Sequence, residues 1–160
     1  MDENYQTGIE EKLVSLLVEK NIIVTTAESC TGGMIASSIV NVSGASAIFK
    51  QGYITYCDEA KTSMLGVKKD TLDKFKAVSS EVACEMADGA RIKSGADVAV
   101  SVTGVAGPSM EDGKPVGLVY IGIADKNYVF ARKYNFTGDR MMIRTNACKS
   151  ALELLYEYIE

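Results

Sequence analysis

Ser29 stands in the stretch Ala27-Glu28-Ser29-Cys30-Thr31-Gly32-Gly33, between a short β-branched run and an apolar helical pattern. Such a strand-to-helix junction is where ligands bind in open α/β sheets. A helix start offers unpaired N–H groups and partial positive charge. Gly32 and Gly33 let the backbone come close to a ligand. These features suit an oxyanion or a phosphate. Ser29 is then a nucleophile, with Cys30, Thr31, Gly32 and Gly33 as the backbone that holds the oxyanion. The alternative is that Ser29 or Thr31 only caps the helix and the glycines ease packing. Cys30 is a rival nucleophile in the same electropositive position, or else a small buried apolar residue.

The chain contains no histidine. That removes Ser-His-Asp and Cys-His machinery and the common zinc sites built on imidazole. A base for Ser29 must be a lysine or a carboxylate. Lys61 is the lysine with a physical reason. It falls in the first turn of a helix that Asp58 would cap, where the dipole disfavours a cation. Burial there would lower its pKa and make a neutral amine accessible. The alternative is a solvated surface lysine.

Three further groups carry possible chemistry. Thr103, Gly104 and Gly107 lie where a β-rich run ends in a Gly/Pro loop, and a parallel strand would bring that loop to the edge bearing Ser29. The polar stretch 109–115 that follows reads as a mobile loop able to act as a lid. Arg140 and Arg144, at i and i+4, share one face at the start of the last helix. They could grip a phosphate or pair with acidic neighbours on a solvated face. Tyr53 and Tyr56 are three apart on an expected strand, so at most one lines a given pocket.

The remaining residues must build a scaffold for these groups. With 160 residues, 47% hydrophobic and 24% charged, one globular domain spanning 1–160 is expected. Net charge is −4, unlike a duplex-binding domain, so no nucleic-acid partner is expected. No 18-residue apolar run occurs, so no membrane partner is expected either. Four scattered cysteines without a C-x-x-C pair suit reduced thiols in a cytoplasmic protein, with no metal.

Thr7 and Glu10 form a capping-box pattern ahead of a helix at about 7–20. A strand is expected at 22–26, a helix from Gly32-Gly33 to about 40, and a strand at 47–56 with Gly52 inside it. Helices follow at 58–66 and 69–75. Ser79 or Ser80 caps another, with Val82, Ala83, Met86, Ala87 and Ala90 on one face. Strands at 97–103 and 116–124 precede a turn at 125–127 and a strand at about 128–136. A long closing helix turns Ile143, Ala147, Leu154, Leu155 and Tyr158 inward. Helices alternating with strands, plus a terminal hairpin, predict a three-layer α/β/α domain with a mixed sheet of about five strands.

Six stretches together resemble one family. They are TTAESCTGG at 25–33, GYITYCDEAKTSMLGV at 52–67, VSSEVACEMADGAR at 78–91, SVTGVAGP at 101–108, KPVGLVYIGI at 114–123 and GDRMMIR at 138–144. They run in the order of the C-terminal domain of CinA proteins and resemble the stand-alone nicotinamide mononucleotide amidohydrolases of that family. The resemblance implies a mixed-sheet α/β/α domain, often a homo-oligomer. It implies hydrolysis of a nucleotide's carboxamide by a Ser-Lys mechanism without a cofactor. Carried onto this chain, it makes Ser29 the nucleophile and Lys61 its base, and it matches Tyr53, Tyr56, Thr103, Arg140 and Arg144. Ser109-Met110-Glu111-Asp112 departs from the glycine-rich stretch usual in the family, so a stiffer or more acidic loop is expected here, which bears on substrate contacts. A nucleotide-binding module without turnover, or an amidase for another amide, are the rival readings.

Overall fold

The computed structural model describes residues 8–160. Helix α1 (Ile9–Lys20) starts at Gly8, whose N–H donates to Glu11 Oε2 at 2.7 Å. The acid that reaches back is therefore Glu11, not Glu10; Thr7, the other half of the expected box, lies outside the described residues. Strand β1 (Val24–Glu28) is buried throughout, two residues later than the expected 22–26. Helix α2 (Met34–Val40) follows the glycine pair as expected.

The stretch expected to be one strand at 47–56 is mostly not strand. A 3-10 turn occupies Ala45–Ala47, and β2 is only Tyr53–Ile54. Val24 bridges Phe49, while Ala27 pairs with Tyr53. Three residues on β1 thus oppose four on this segment, so the segment bulges before β2. Gly52 sits in the bulge; a Cβ there would lie 2.5 Å from Thr26 Oγ1.

Helices α3 (Asp58–Leu65), α4 (Lys69–Phe75) and α5 (Ser80–Ser94) follow. Ser79 caps α5, its Oγ accepting the Val82 N–H at 3.2 Å. Cys57, not Asp58, occupies the N-cap of α3. Strands β3 (Val98–Gly104), β4 (Leu118–Ala124) and β5 (Val129–Asn135) lead into α6 (Arg140–Ile159), which Asp139 caps. At the 125–127 turn, Asp125 accepts the N–H groups of Asn127 and Tyr128.

The sheet order is β2-β1-β3-β4-β5. The first three strands are parallel, β4 pairs antiparallel with β3, and β5 antiparallel with β4. Alternation along β3 divides the core. Val98, Val100 and Val102 join the layer with Leu13, Ile35, Ile143 and Leu155. Ala99 joins the layer with Val82, Met86 and Ala90 of α5. Ser101 Oγ and Thr103 Oγ1 donate to carbonyls on that second face, at Ala83 and Ala77. Helices thus cover both faces, as expected for three layers. Tyr158 is less buried than expected, and its hydroxyl donates to Asp125 Oδ2 at 2.6 Å. Among the described residues no helix is long and apolar enough to cross a membrane.

The parallel pairing matters most for chemistry. It brings the carboxyl ends of β1, β2 and β3 to one edge. Ser29 follows β1, the segment 55–61 follows β2, and the turn 104–107 follows β3.

Candidate active site

Ser29 sits one residue beyond β1, with its N–H held by the Val102 carbonyl at 3.0 Å. The turn into α2 needs left-handed backbone at Gly32 (φ 57°) and Gly33 (φ 103°), which glycine adopts without strain. Glu28 is wholly buried and turned onto the start of α2. It accepts the N–H groups of Gly33 at 3.0 Å, Ile35 at 3.1 Å and Ala36 at 2.9 Å. The electropositive helix start is therefore occupied by the chain's own carboxylate. The Gly32 N–H is also engaged, donating to the Ser29 carbonyl at 3.1 Å. The donor set expected from Cys30, Thr31, Gly32 and Gly33 thus loses Gly32 and Gly33. Of the turn's N–H groups from Ser29 to Gly33, those of Cys30 and Thr31 have no acceptor on another described residue, and of these two residues Cys30 lines the cleft.

Lys61 comes from the fourth position of α3 and is 1% exposed. Its Nζ lies 3.0 Å from Ser29 Oγ and donates to the Thr55 carbonyl at 2.9 Å. Burial holds its pKa below the ordinary 10.5, while the negative charge of Asp58 pulls it partly back. A neutral amine in contact with a hydroxyl is the arrangement a lysine base requires. Cys30, the rival nucleophile, is 5% exposed, and burial pushes its thiol up to about 11. So high a pKa leaves little thiolate.

These groups open into a cavity of about 170 Å³. Ser29, Lys61, Thr103, Gly104, Gly107, Tyr56 and Arg140 all line it. Thr103 is buried, its hydroxyl donating to the Ala77 carbonyl at 2.9 Å. A Cβ on Gly104 would lie 2.9 Å from the Leu118 carbonyl oxygen, so only glycine fits that wall. Tyr53 is not on the cleft; it packs against the layer under α5. Of the pair, Tyr56 alone lines the pocket, but it lies beyond β2, so the strand alternation expected for the two does not account for this.

The two arginines divide in the same way. Arg140 is at the cleft, donating to the Gly107 carbonyl at 2.6 Å and to the Tyr56 hydroxyl at 2.9 Å. Arg144 is not among the cleft residues. Its Nε donates to the Cys30 carbonyl at 2.9 Å and its Nη2 to the Thr31 carbonyl at 3.2 Å. A joint phosphate grip by the pair is therefore corrected to one arginine at the cleft and one behind the turn. The 109–115 loop, expected either as a lid or as a stiffer, more acidic loop, is tied down by hydrogen bonds. Glu111 and Lys114 exchange backbone hydrogen bonds at 3.2 and 2.8 Å. Lys114 Nζ donates to the carbonyls of Phe75, at 2.8 Å, and Val78. The loop is a pinned turn that brings Ser109 and Glu111 to the cleft.

Three acids of the site were not expected there from sequence. Glu28 could have been suspected from a carboxylate within reach of a helix start. Asp58 and Glu111 also line the cleft, and nothing in their local spacing marks them.

The chain matches the family model described as "CinA C-terminal domain" over residues 6–159. A competence-damage inducible protein by name from Caldicellulosiruptor saccharolyticus is 52% identical over 152 residues, 94% of this chain and 37% of that protein. One of the same name from Clostridium novyi is 48% identical over 154 residues, 94% of this chain and 36% of that protein. The chain thus spans less than two fifths of the length of these relatives. The crystal structure of a CinA superfamily protein from Klebsiella pneumoniae superposes with a TM-score of 0.92 at 33% identity, covering 94% of this chain and 95% of that one. That of a competence/damage inducible protein, CihA, from Agrobacterium tumefaciens gives 0.88 at 38% identity, covering 96% and 98%. With the same fold over nearly its whole length and the family match covering residues 6–159, the chain belongs to the CinA C-terminal domain family.

Proposed function

We propose that this cleft hydrolyses the carboxamide of nicotinamide mononucleotide, giving nicotinic acid mononucleotide and ammonia. The observation that carries the reading is the 3.0 Å contact between Ser29 Oγ and the buried Lys61 Nζ. Neutral Lys61 accepts the Ser29 hydroxyl proton as Oγ bonds to the carboxamide carbon. The oxygen that becomes negative takes the Cys30 N–H. The tetrahedral centre collapses, the C–N bond breaks, and Lys61 returns its proton to the leaving nitrogen, which departs as ammonia. Water then attacks the Ser29 ester while Lys61 takes its proton. The acid leaves, and the proton passes back to Ser29. One base serves both halves, so no histidine is needed.

Charge on the cleft wall supports a substrate of this type. Arg140 offers a cation for the phosphate. Asp58 and Glu111 offer carboxylates that suit the positive pyridinium ring. The reading is tested by ammonia release from nicotinamide mononucleotide, nicotinamide riboside and free nicotinamide under one set of conditions. The expected order of kcat/KM is mononucleotide, then riboside, then nicotinamide. Free nicotinamide turned over as well as the mononucleotide would remove the nucleotide from the account.

The carboxylates also set a pH dependence. Asp58 favours the charged form of Lys61. Removing it lets the amine become neutral at lower pH. Asp58→Asn is therefore expected to shift the acid limb of the kcat/KM profile downward in pH. A limb that stays fixed, or moves upward, contradicts Lys61 as the titrating group.

A further inference from the structure

Arg144 has no carboxylate within ion-pair reach among the described residues. Its half-buried guanidinium instead holds two carbonyls of the turn that carries Ser29. In a trans peptide the C=O and the following N–H point in opposite directions. The Thr31 carbonyl is drawn to Arg144, so the Gly32 N–H turns the other way, onto the Ser29 carbonyl. With the Ser29 carbonyl so engaged, the Cys30 N–H on the same peptide points away from that bond and keeps no acceptor on another described residue. On the other side, Glu28 takes the N–H groups of Gly33, Ile35 and Ala36. A cation behind the carbonyls and an anion under the N–H groups thus pin the turn from both ends. Gly32 fits the arrangement, since the turn needs its left-handed φ of 57°.

We infer that Arg144 is a positioning residue, which orients the turn so that the Cys30 N–H is left free as the oxyanion donor beside Ser29. This rests on the reading of Ser29 as a nucleophile. It assigns Arg144 no contact with substrate and no phosphate.

The test compares wild type with Arg144→Met, Arg144→Lys and Arg144→Ala. Turnover is measured on nicotinamide mononucleotide and on the phosphate-free riboside. The rate of Ser29 labelling by a fluorophosphonate, which also forms an oxyanion at the serine, is measured alongside. Losing an oxyanion donor typically costs about 10²–10³ in rate. Arg144→Met is therefore expected to lose about 10²-fold in kcat on both substrates, with KM little changed, and to label more slowly by a similar factor. Added guanidinium should restore part of the labelling rate in Arg144→Ala and none in wild type. If Arg144→Met fails to fold, Arg144→Lys carries the comparison; it keeps the charge but not the two-pronged donor, and is expected to show the same kcat loss. A rise in KM confined to the mononucleotide would make Arg144 a phosphate contact and overturn the inference, as would unchanged labelling. Wild type that labels at Ser29 but leaves the mononucleotide intact would refute the proposed substrate alone, and the labelling rates would still decide Arg144. Wild type that neither labels nor turns over refutes both.

Discussion

Lys61→Met is expected to lower kcat for amide hydrolysis by about 10⁴-fold, the upper range for a general base. Methionine keeps much of the apolar stem in a site where the lysine is 1% exposed but offers nothing to take the Ser29 proton. The same variant carries a second signature in stability. The folded-state pKa of Lys61 lies below the ordinary 10.5, which the unfolded chain should show. Between those two values the unfolded state binds more protons than the folded state. Wild-type stability contributed by this group therefore rises with pH across that window and is lowest beneath it. Methionine has no such dependence. The melting temperature of wild type relative to Lys61→Met is thus expected to rise as pH climbs toward 10.5. A constant difference would mean the amine is not desolvated, and retained activity would remove it as the base.

The second large effect is structural and lies at the C-terminal end of α3, the helix that carries Lys61. Gly89 of α5 faces the end of α3, and a Cβ there would stand 1.9 Å from the Leu65 carbonyl oxygen and 2.9 Å from its carbon. Ala in a helix interior normally gains about 1 kcal/mol over Gly. Here that gain is overwhelmed, because the obstacle is backbone and cannot swing aside. Overpacking of this kind costs about 1–3 kcal/mol and occasionally more. Gly89→Ala is expected to lie at the upper end, a fall of roughly 6–12 °C in Tm for a chain of this size. Because Leu65 and Lys61 share α3, kcat should fall with it as the amine is moved off Ser29. A melting temperature at or above wild type would show that the two helices separate easily.

The legible parts of this molecule are those where local pattern and tertiary need agree. The face Val82, Ala83, Met86, Ala87 and Ala90 is buried as its period requires. The glycine pair before α2 and the 125–127 turn also declare themselves by residue type. The segment before β2 does not. Its β-branched and aromatic residues read as a long strand, but the 3-10 turn at Ala45–Ala47 and the bulge at Gly52 leave only Tyr53–Ile54 in the ladder. Ser29 and Lys61 were each visible from their place at a helix start. Their contact depends on the parallel pairing of β1 with β2, which no local signal gives. Glu28 and Arg144 were the hardest to see. Glu28 looks like an ordinary surface charge in sequence and Arg144 like half of a phosphate grip, yet each holds backbone groups of the turn.

Ammonia release from nicotinamide mononucleotide by wild type and Ser29→Ala, side by side at matched folded concentration, tests the account most directly. Wild type is expected to turn over. Ser29→Ala is expected to fall to background with an unchanged melting temperature. Acid-quenched wild type should carry the nicotinate nucleotide as an ester on the peptide containing Ser29. A Ser29→Ala protein that releases ammonia at the wild-type rate would contradict the account.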